Sequence, residues 1–148
     1  MLRLPPVNAE FALSELQSRG WTPIVAHPER YRNLDPTLVA LARFRQAGAF
    51  LQMNAGSLFG DYGKTAAGHA RQILLAGEAD YVASDYHARG EPGIQRFVRA
   101  LADAGFSEQA ELLTVTNPAR LLAGESPLRV PPIQAKPASR SLWERLFG

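Results

Sequence analysis

The sequence predicts an α/β protein whose sheet strands run parallel. Segments with helical spacing of apolar residues alternate along the chain with short apolar runs, which is the order of a βαβα protein. Three of the short runs end in polar side chains, as buried parallel strands do where they enter functional loops. The chain has 148 residues, a length typical of one domain with its own core.

Five helices are predicted from apolar residues spaced three and four positions apart. They cover residues 9–19, 35–47, 65–76, 93–104 and 117–123. A glycine follows each of the first four helices, as is common at helix carboxyl ends, at positions 20, 48, 77 and 105. Asp35 with Pro36 marks the start of the second helix, and Asn117 with Pro118 marks the start of the last.

Four strands are predicted from short apolar runs bounded by turn residues. They cover residues 22–26, 49–54, 81–84 and, as a shorter fourth strand, 112–116. Residues 56–63 are rich in glycine and are predicted to form a loop. The chain is therefore predicted to hold one α/β domain at 1–123, a proline-rich linker at 124–140 and a short amphipathic terminal segment at 141–148.

The composition excludes several classes of protein. Because the chain has no Cys, it has no disulfide scaffold, thiolate zinc site, iron–sulfur cluster or cysteine nucleophile, and any metal must bind to His and carboxylates. No apolar run approaches the ~20 residues that span a bilayer, and residues 1–6 lack a signal-peptide pattern, so a cytoplasmic location is predicted. Basic side chains form no cluster with aromatic residues, and no nucleic acid partner is expected.

Polar residues that follow three of the predicted strands form the candidate site. His27 follows the first strand, Asn54 ends the second, and Asp85 and His87 follow the third. Because the carboxyl ends of parallel strands meet at one edge of a sheet, these side chains are expected to converge. Two imidazoles and one carboxylate suit zinc, manganese or iron, and nothing in the sequence decides between them. The alternative is that His27 is a core histidine and that Asp85 caps a turn.

Other residues near these strand ends are candidates for binding anions. Arg30 and Arg89 lie beside the candidate ligands, and a guanidinium suits phosphoryl oxygens, although each arginine has the alternative of a solvated loop position. Asn54 and Ser57, with the glycines at 56, 60 and 63, form a weaker candidate for an anion-binding backbone loop. His69 is predicted to lie on a helix surface.

Four segments carry a resemblance to a known family. They are VAHPERY at 25–31, LQMNAGSLFG at 51–60, VASDYH at 82–87 and NPARLL at 117–122. In order and spacing, over about residues 8–123, they resemble the bacterial capsule and exopolysaccharide tyrosine-protein phosphatases of the polymerase-and-histidinol-phosphatase (PHP) superfamily. The resemblance implies a distorted β/α barrel of parallel strands with a cluster of divalent metal ions at the strand ends, usually manganese, with iron or zinc as alternatives.

The resemblance also implies roles for individual residues. By matching position, His27, Asp85 and His87 look like metal ligands, and Arg30 looks like a phosphate-contacting residue. Arg89 substitutes for a second family arginine in a shifted loop. The implied reaction is metal-dependent hydrolysis of phosphotyrosine, and the implied partner is the tyrosine-rich tail of a bacterial tyrosine kinase that controls polysaccharide export.

The chain departs from the family pattern near its amino end. The family's first strand carries an H-x-H pair and further strands carry Glu ligands, whereas this sequence lacks both and holds Arg3 where an acidic residue is usual. The expected fold is therefore a partial barrel that lacks its amino-terminal strands, completed by a missing segment or by a homo-oligomer. Two alternatives stay open, a truncated non-catalytic binding module and a small-molecule phosphoesterase of the same superfamily.

Overall fold

A parallel three-stranded sheet underlies the candidate site in a computed structural model that describes residues 8–86 and 92–133. The strands are β1 (Ile24–Ala26), β2 (Phe50–Asn54) and β3 (Tyr81–Ala83), and they lie in the order β1-β2-β3. Ile24 pairs with Phe50, and Gln52 pairs with Tyr81. The predicted α/β class and parallel sheet are confirmed.

The described residues also form six α-helices and two short 3₁₀ turns. The helices are α1 (Ala9–Ser18), α2 (Val39–Gln46), α3 (Lys64–Ala76), α4 (Gly93–Asp103), α5 (Ser107–Glu111) and α6 (Asn117–Leu122). The 3₁₀ turn Pro28–Arg30 follows β1 after the single residue His27, and the turn Ala55–Phe59 follows β2 directly. Within the described ranges no helix has both the length and the apolar character that crossing a membrane requires.

The core lies on β2 and the helices that pack around it. Leu51 and Met53 of the central strand are fully buried, and Ile73 of α3 and Phe97 of α4 are fully buried as well. Burying one such side chain contributes about 1.5–3 kcal/mol relative to leaving it in water. The central strand is therefore held firmly in the core. The polar residues at its carboxyl end are fixed in position because the strand is.

The predicted fourth strand at 112–116 is wrong. Residues Leu112–Thr116 form a π-helical turn that joins α5 to α6 without a break. The Thr114 hydroxyl donates to the Ala110 carbonyl at 2.7 Å, which satisfies one main-chain group of this turn, and Leu113 is fully buried. Tertiary packing of one helical face overrides the strand preference of a run rich in β-branched residues.

The start of the second helix also differs from its prediction. The helix α2 begins at Val39 rather than at Asp35, and Leu38 has a left-handed backbone with φ of 57°. The Asp35 carboxylate still accepts hydrogen bonds from the Val39 and Ala40 N–H groups, at 3.2 and 3.5 Å. Asp35 therefore caps the helix although it lies before the N-cap position. The Thr37 hydroxyl also donates a hydrogen bond to the Asp35 carboxylate.

Asp35→Ala is expected to lower the free energy of unfolding by about 1 kcal/mol, a typical cost of losing a cap. The Thr37 hydrogen bond, assisted by the Val39 and Ala40 N–H groups, lowers the pKa of Asp35 in the folded state. A lowered pKa means that the stabilisation is present above about pH 4 and is lost as the pH falls through the folded-state pKa. Urea unfolding over a pH series checks this, and a wild-type advantage that stays constant down to about pH 2 would contradict it.

The described part of the predicted linker, residues 124–133, packs against the domain. It contains no helix or strand, yet Val130 and Ile133 are buried in the core. A Cβ at Gly77 would lie 2.6 Å from the Val130 carbonyl oxygen, so the segment passes directly over the end of α3. The predicted terminal segment at 141–148 lies outside the described residues.

Asn117 has a different role from the predicted helix cap. The preceding π-helical turn runs directly into α6, and the Asn117 side chain is fully buried. Its amide donates to the Asp80 and Leu128 carbonyl oxygens at 2.9 and 3.0 Å, and its oxygen accepts from the Leu128 N–H at 2.8 Å. Asn117 therefore joins the start of β3 to the segment at 124–133.

Candidate active site

The carboxyl ends of β1 and β3 place two predicted ligands close together. His27 follows β1, Asp85 follows β3, and His27 Nε2 lies 3.7 Å from Asp85 Oδ1. Both residues have a left-handed backbone, with φ of 55° and 49°. Such conformations in non-glycine residues cost about 1–3 kcal/mol and cluster at functional sites. In the described part of the chain, two of the three non-glycine residues with this backbone are therefore residues that the sequence selects as ligands, and the third is Leu38.

The distance between these two side chains fits a shared metal ion. Nitrogen and oxygen ligands lie about 2.1 Å from a bound divalent transition metal, so two ligands of one ion are within about 4.2 Å of each other. The 3.7 Å between His27 Nε2 and Asp85 Oδ1 meets that limit. Within the described ranges no group of three His, Asp or Glu side chains is positioned to hold a metal ion. The predicted third ligand, His87, and the predicted arginine, Arg89, lie outside those ranges.

Arg30 joins the same group from the 3₁₀ turn after β1. Its Nη1 lies 3.3 Å from Asp85 Oδ2, and its Cζ lies 4.4 Å from the centre of the Tyr62 ring. The Tyr62 hydroxyl in turn accepts a hydrogen bond from the Asn54 side-chain amide at 3.2 Å. Arg30 therefore has a carboxylate on one side and an aromatic face on another, an arrangement that orients a guanidinium.

Glu29 forms a buried support directly behind these residues. Its side chain is fully buried, and Oε1 accepts hydrogen bonds from the Asn54 N–H at 3.1 Å and the Ser57 hydroxyl at 2.7 Å. Burial raises the pKa of Glu29, and the hydrogen bond from Ser57 partly opposes that rise. The Glu29 carbonyl oxygen lies 3.1 Å from His69 Nδ1, so His69 contacts the support of the site rather than only solvent.

The predicted anion-binding loop binds a carboxylate of the same chain. Asn54 Oδ1 accepts from the Gly56 N–H at 2.8 Å, and Ser57 donates to Glu29. A Cβ at position 56 would lie 2.7 Å from Asp61 Oδ2 and 3.3 Å from Tyr62 Cε2, so the turn passes close to both side chains. The loop after β2 is thus an internal binding site for Glu29.

Sequence reasoning missed Glu29 and His69 as parts of this site. In the sequence, Glu29 lies between a proline and an arginine. An acidic side chain in such a polar segment is usually solvated. Its burial depends on Ser57 and Asn54, which come from a different loop. Three positions separate His69 from Ala66 and four from Ile73, both buried on α3, and this spacing was the one available signal that His69 faces inward.

The fold and the site define an α/β protein with a strained, histidine- and carboxylate-containing site at the strand ends. The family model described as "Capsular polysaccharide synthesis, CpsB/CapC" matches residues 8–123. The chain therefore belongs to the CpsB/CapC family, as the resemblance predicts.

Relatives of this chain are named as tyrosine phosphatases. The chain is 28% identical over 144 residues to the tyrosine-protein phosphatase YwqE of Bacillus subtilis, a match that covers 97% of this chain and 54% of YwqE. It is 36% identical over 74 residues to the putative tyrosine-protein phosphatase CapC of Staphylococcus aureus, covering 50% of this chain and 29% of CapC. It is 35% identical over 81 residues to CpsB of Streptococcus agalactiae, covering 51% of this chain and 33% of that protein.

A solved structure has the same fold. It comes from work described as crystal structures of YwqE from Bacillus subtilis and CpsB from Streptococcus pneumoniae, unique metal-dependent tyrosine phosphatases. The TM-score is 0.75 at 32% identity, over 92% of this chain and 56% of the solved chain. The chain thus spans about half the length of YwqE and of the solved structure, and less of the other two relatives.

Proposed function

We propose that this chain forms the carboxyl-terminal part of a metal-dependent phosphatase that hydrolyses phosphotyrosine in proteins. The observation that carries the proposal is the grouping of His27, Asp85 and Arg30 at the carboxyl ends of β1 and β3. Membership of the CpsB/CapC family and the names of three relatives support the reaction and its link to capsule synthesis.

In this proposal His27, Asp85 and His87 hold divalent metal ions, with manganese preferred and iron or zinc as alternatives. Bound there, such ions would supply Lewis acidity and positive charge toward a phosphoryl group. Arg30 binds a phosphoryl oxygen, and Arg89 provides the second guanidinium.

Asp85 has two roles in the proposed mechanism. One carboxylate oxygen faces His27 and the other faces Arg30, at 3.7 and 3.3 Å. It therefore provides a metal ligand and orients the guanidinium that receives the phosphate. Tyr62 covers a face of that guanidinium, which restricts its access to water and its rotation.

The proposed substrate is a phosphotyrosine protein in the cytoplasm, namely the tyrosine-rich tail of a bacterial tyrosine kinase that controls polysaccharide export. The exposed position of Tyr62 beside Arg30 is consistent with a site that opens to a protein segment. The small-molecule phosphoesterase remains the competing enzymatic function, and the preferred substrate distinguishes the two.

We also propose that the chain is a partial PHP barrel. In the described part of the chain β1 pairs with β2 alone, which leaves its other edge available to a further strand. Phe11 within α1 and Trp21 between α1 and β1 are 71% and 69% exposed. An amino-terminal segment, or a second copy of the chain, pairs with this edge and covers the exposed rings.

Replacing Phe11 and Trp21 together by Ser tests the partial barrel. We expect less self-association of the purified chain in sedimentation, with the free energy of unfolding changed by no more than about 1 kcal/mol, because exposed side chains contribute little to the isolated fold. A much larger loss of stability would indicate that the two rings belong to the core of this chain, and would argue against an open edge.

Metal-dependent turnover tests the proposed function. The purified chain is dialysed, analysed for metal content and assayed on a phosphotyrosine peptide with and without manganese, and a sugar phosphate is the comparison substrate. We expect hydrolysis of the peptide that disappears on chelation and returns with manganese. Activity that persists after complete metal removal would refute the proposal, and preference for the sugar phosphate would favour the small-molecule phosphoesterase.

A non-catalytic binding module is the second candidate function. The observation that favours it is Arg3, a cationic side chain at a position where the family pattern has an acidic residue. In that case the purified chain would retain less than about a tenth of an ion and would bind a phosphotyrosine kinase tail without hydrolysing it.

A further inference from the structure

Glu29 is an acidic side chain that is fully buried beside the candidate site. Charged residues are almost never fully buried unless they are paired or hydrogen-bonded. Glu29 lies two positions after His27 and immediately before Arg30, in the 3₁₀ turn that connects them. Nothing in the roles assigned above to metal or phosphate binding uses this carboxylate.

Three hydrogen bonds connect this turn to other elements through Glu29. Its Oε1 accepts from the Asn54 N–H at the end of β2 and from the Ser57 hydroxyl in the next turn, at 3.1 and 2.7 Å. Its carbonyl oxygen lies 3.1 Å from His69 Nδ1 on α3. The turn that carries His27 and Arg30 is therefore attached to the central strand and to a helix at one residue.

The second carboxylate oxygen differs from the first in its hydrogen bonding. In the described part of the chain, Glu29 Oε2 is buried and makes no hydrogen bond. An unsatisfied buried oxygen is unfavourable for folding, and an apolar side chain of similar volume usually serves stability as well or better. A carboxylate retained at such a position, between two site residues with a strained backbone next to it, indicates a role in arranging the site.

We propose that Glu29 is a positioning residue that holds the Pro28–Arg30 turn in the conformation required by His27 and Arg30. By fixing the turn to Asn54 and Ser57, it maintains the left-handed backbone of His27 and keeps the Arg30 guanidinium over the Tyr62 ring. The consequence for metal and phosphate binding rests on the proposed function, whereas the effect on Arg30 is independent of it.

The test compares variants of Glu29 with a matched control at the opposite end of the sheet. Glu29→Ala removes the connection, and Glu29→Gln retains an acceptor for the Asn54 N–H and the Ser57 hydroxyl. Asp80→Ala is the control, because Asp80 is also a buried acid that accepts from a main-chain N–H of β2, that of Leu51 at 2.8 Å. Asp80 immediately precedes β3, whereas Glu29 follows β1, so the two acids lie at opposite ends of the sheet.

Two readouts are used. The first needs no metal: the NMR shift of the Arg30 side-chain N–H, which lies in the ring-current field of Tyr62. The second is manganese affinity by calorimetry, with manganese alone as the probe. We expect Glu29→Ala to abolish the ring-current shift and to weaken manganese binding by about tenfold or more, within the range known for residues that support ligands. Glu29→Gln is expected to stay within about threefold of wild type.

The control separates positioning from general loss of stability. We expect Asp80→Ala to lower stability but to leave the Arg30 shift and manganese affinity unchanged. If Glu29→Ala keeps the wild-type Arg30 shift, or if Asp80→Ala disturbs the site equally, the proposal is wrong. If wild type binds no manganese, the proposed function fails for this chain, and the Arg30 shift alone decides the role of Glu29. Should Glu29→Ala not fold, Ser57→Ala takes its place and must change the Arg30 shift in the same direction.

Discussion

Asp85→Asn is expected to lower manganese-dependent hydrolysis of phosphotyrosine by about 100-fold or more, beyond the roughly 10–100-fold typical of residues that only support a ligand. The substitution removes the negative charge that faces both His27 and Arg30. It retains the size of the side chain, and Asn tolerates the left-handed backbone that position 85 adopts, so the fold is preserved. Steady-state kinetics and manganese calorimetry on the purified protein measure the effect.

Asp103→Asn is the matched control, because it makes the same chemical change at an exposed position on α4. It is expected to leave turnover and manganese affinity unchanged. Separate values of kcat and KM distinguish the two roles of Asp85. Loss of a metal ligand lowers kcat, whereas loss of Arg30 orientation alone raises KM. An Asp85→Asn variant that keeps turnover and manganese affinity within about threefold of wild type would remove Asp85 from the site.

The sheet and its functional edge were predictable from local sequence. Each of the three strands is an apolar run that ends at a polar group, and parallel pairing then places those groups at one edge. His27 and Asp85 lie 3.7 Å apart although 58 positions separate them along the chain. The helices α3 and α4 were also predictable, since a glycine or a proline marks their ends.

Elements whose conformation depends on distant packing were not predictable. The run at 112–116 has the composition of a strand, but Leu113 is buried only because the run continues the helix that begins at Ser107. Asp35 carries the signature of a helix cap, and the left-handed Leu38 that displaces the helix start has no local signal. In both cases the burial of a leucine determines the backbone conformation. Burial depends on the whole fold and is not visible in the local sequence.

The support of the site was hidden for the same reason. Glu29 is buried because a hydroxyl and a main-chain N–H from another loop satisfy its Oε1, and neither donor adjoins it in sequence. Asn117 has the sequence signature of a helix start, whereas its side chain joins two segments that lie before and after it. Short motifs thus identified the groups that perform chemistry better than the groups that hold them in place.

Asn117→Ala is expected to lower the free energy of unfolding by about 2–4 kcal/mol. Three hydrogen bonds are lost, each worth about 0.5–1.5 kcal/mol net, and carbonyl oxygens of Asp80 and Leu128 lose a partner in a buried environment. The segment that Leu128 belongs to also contributes Val130 and Ile133 to the core, so its release exposes apolar surface. Urea unfolding followed by circular dichroism measures the change.

Two comparisons make this expectation specific to the buried network. Asn33→Ala removes the same side chain from an exposed position and is expected to change stability by no more than about 0.5 kcal/mol. Asn117→Asp retains the acceptor for the Leu128 N–H but loses both donated hydrogen bonds and adds a buried charge, so its loss is expected to match or exceed that of Ala. A loss below about 1 kcal/mol for Asn117→Ala would show that residues 124–133 are held by the burial of Val130 and Ile133 and by ion pairs such as Arg129 with Glu78, without need of Asn117.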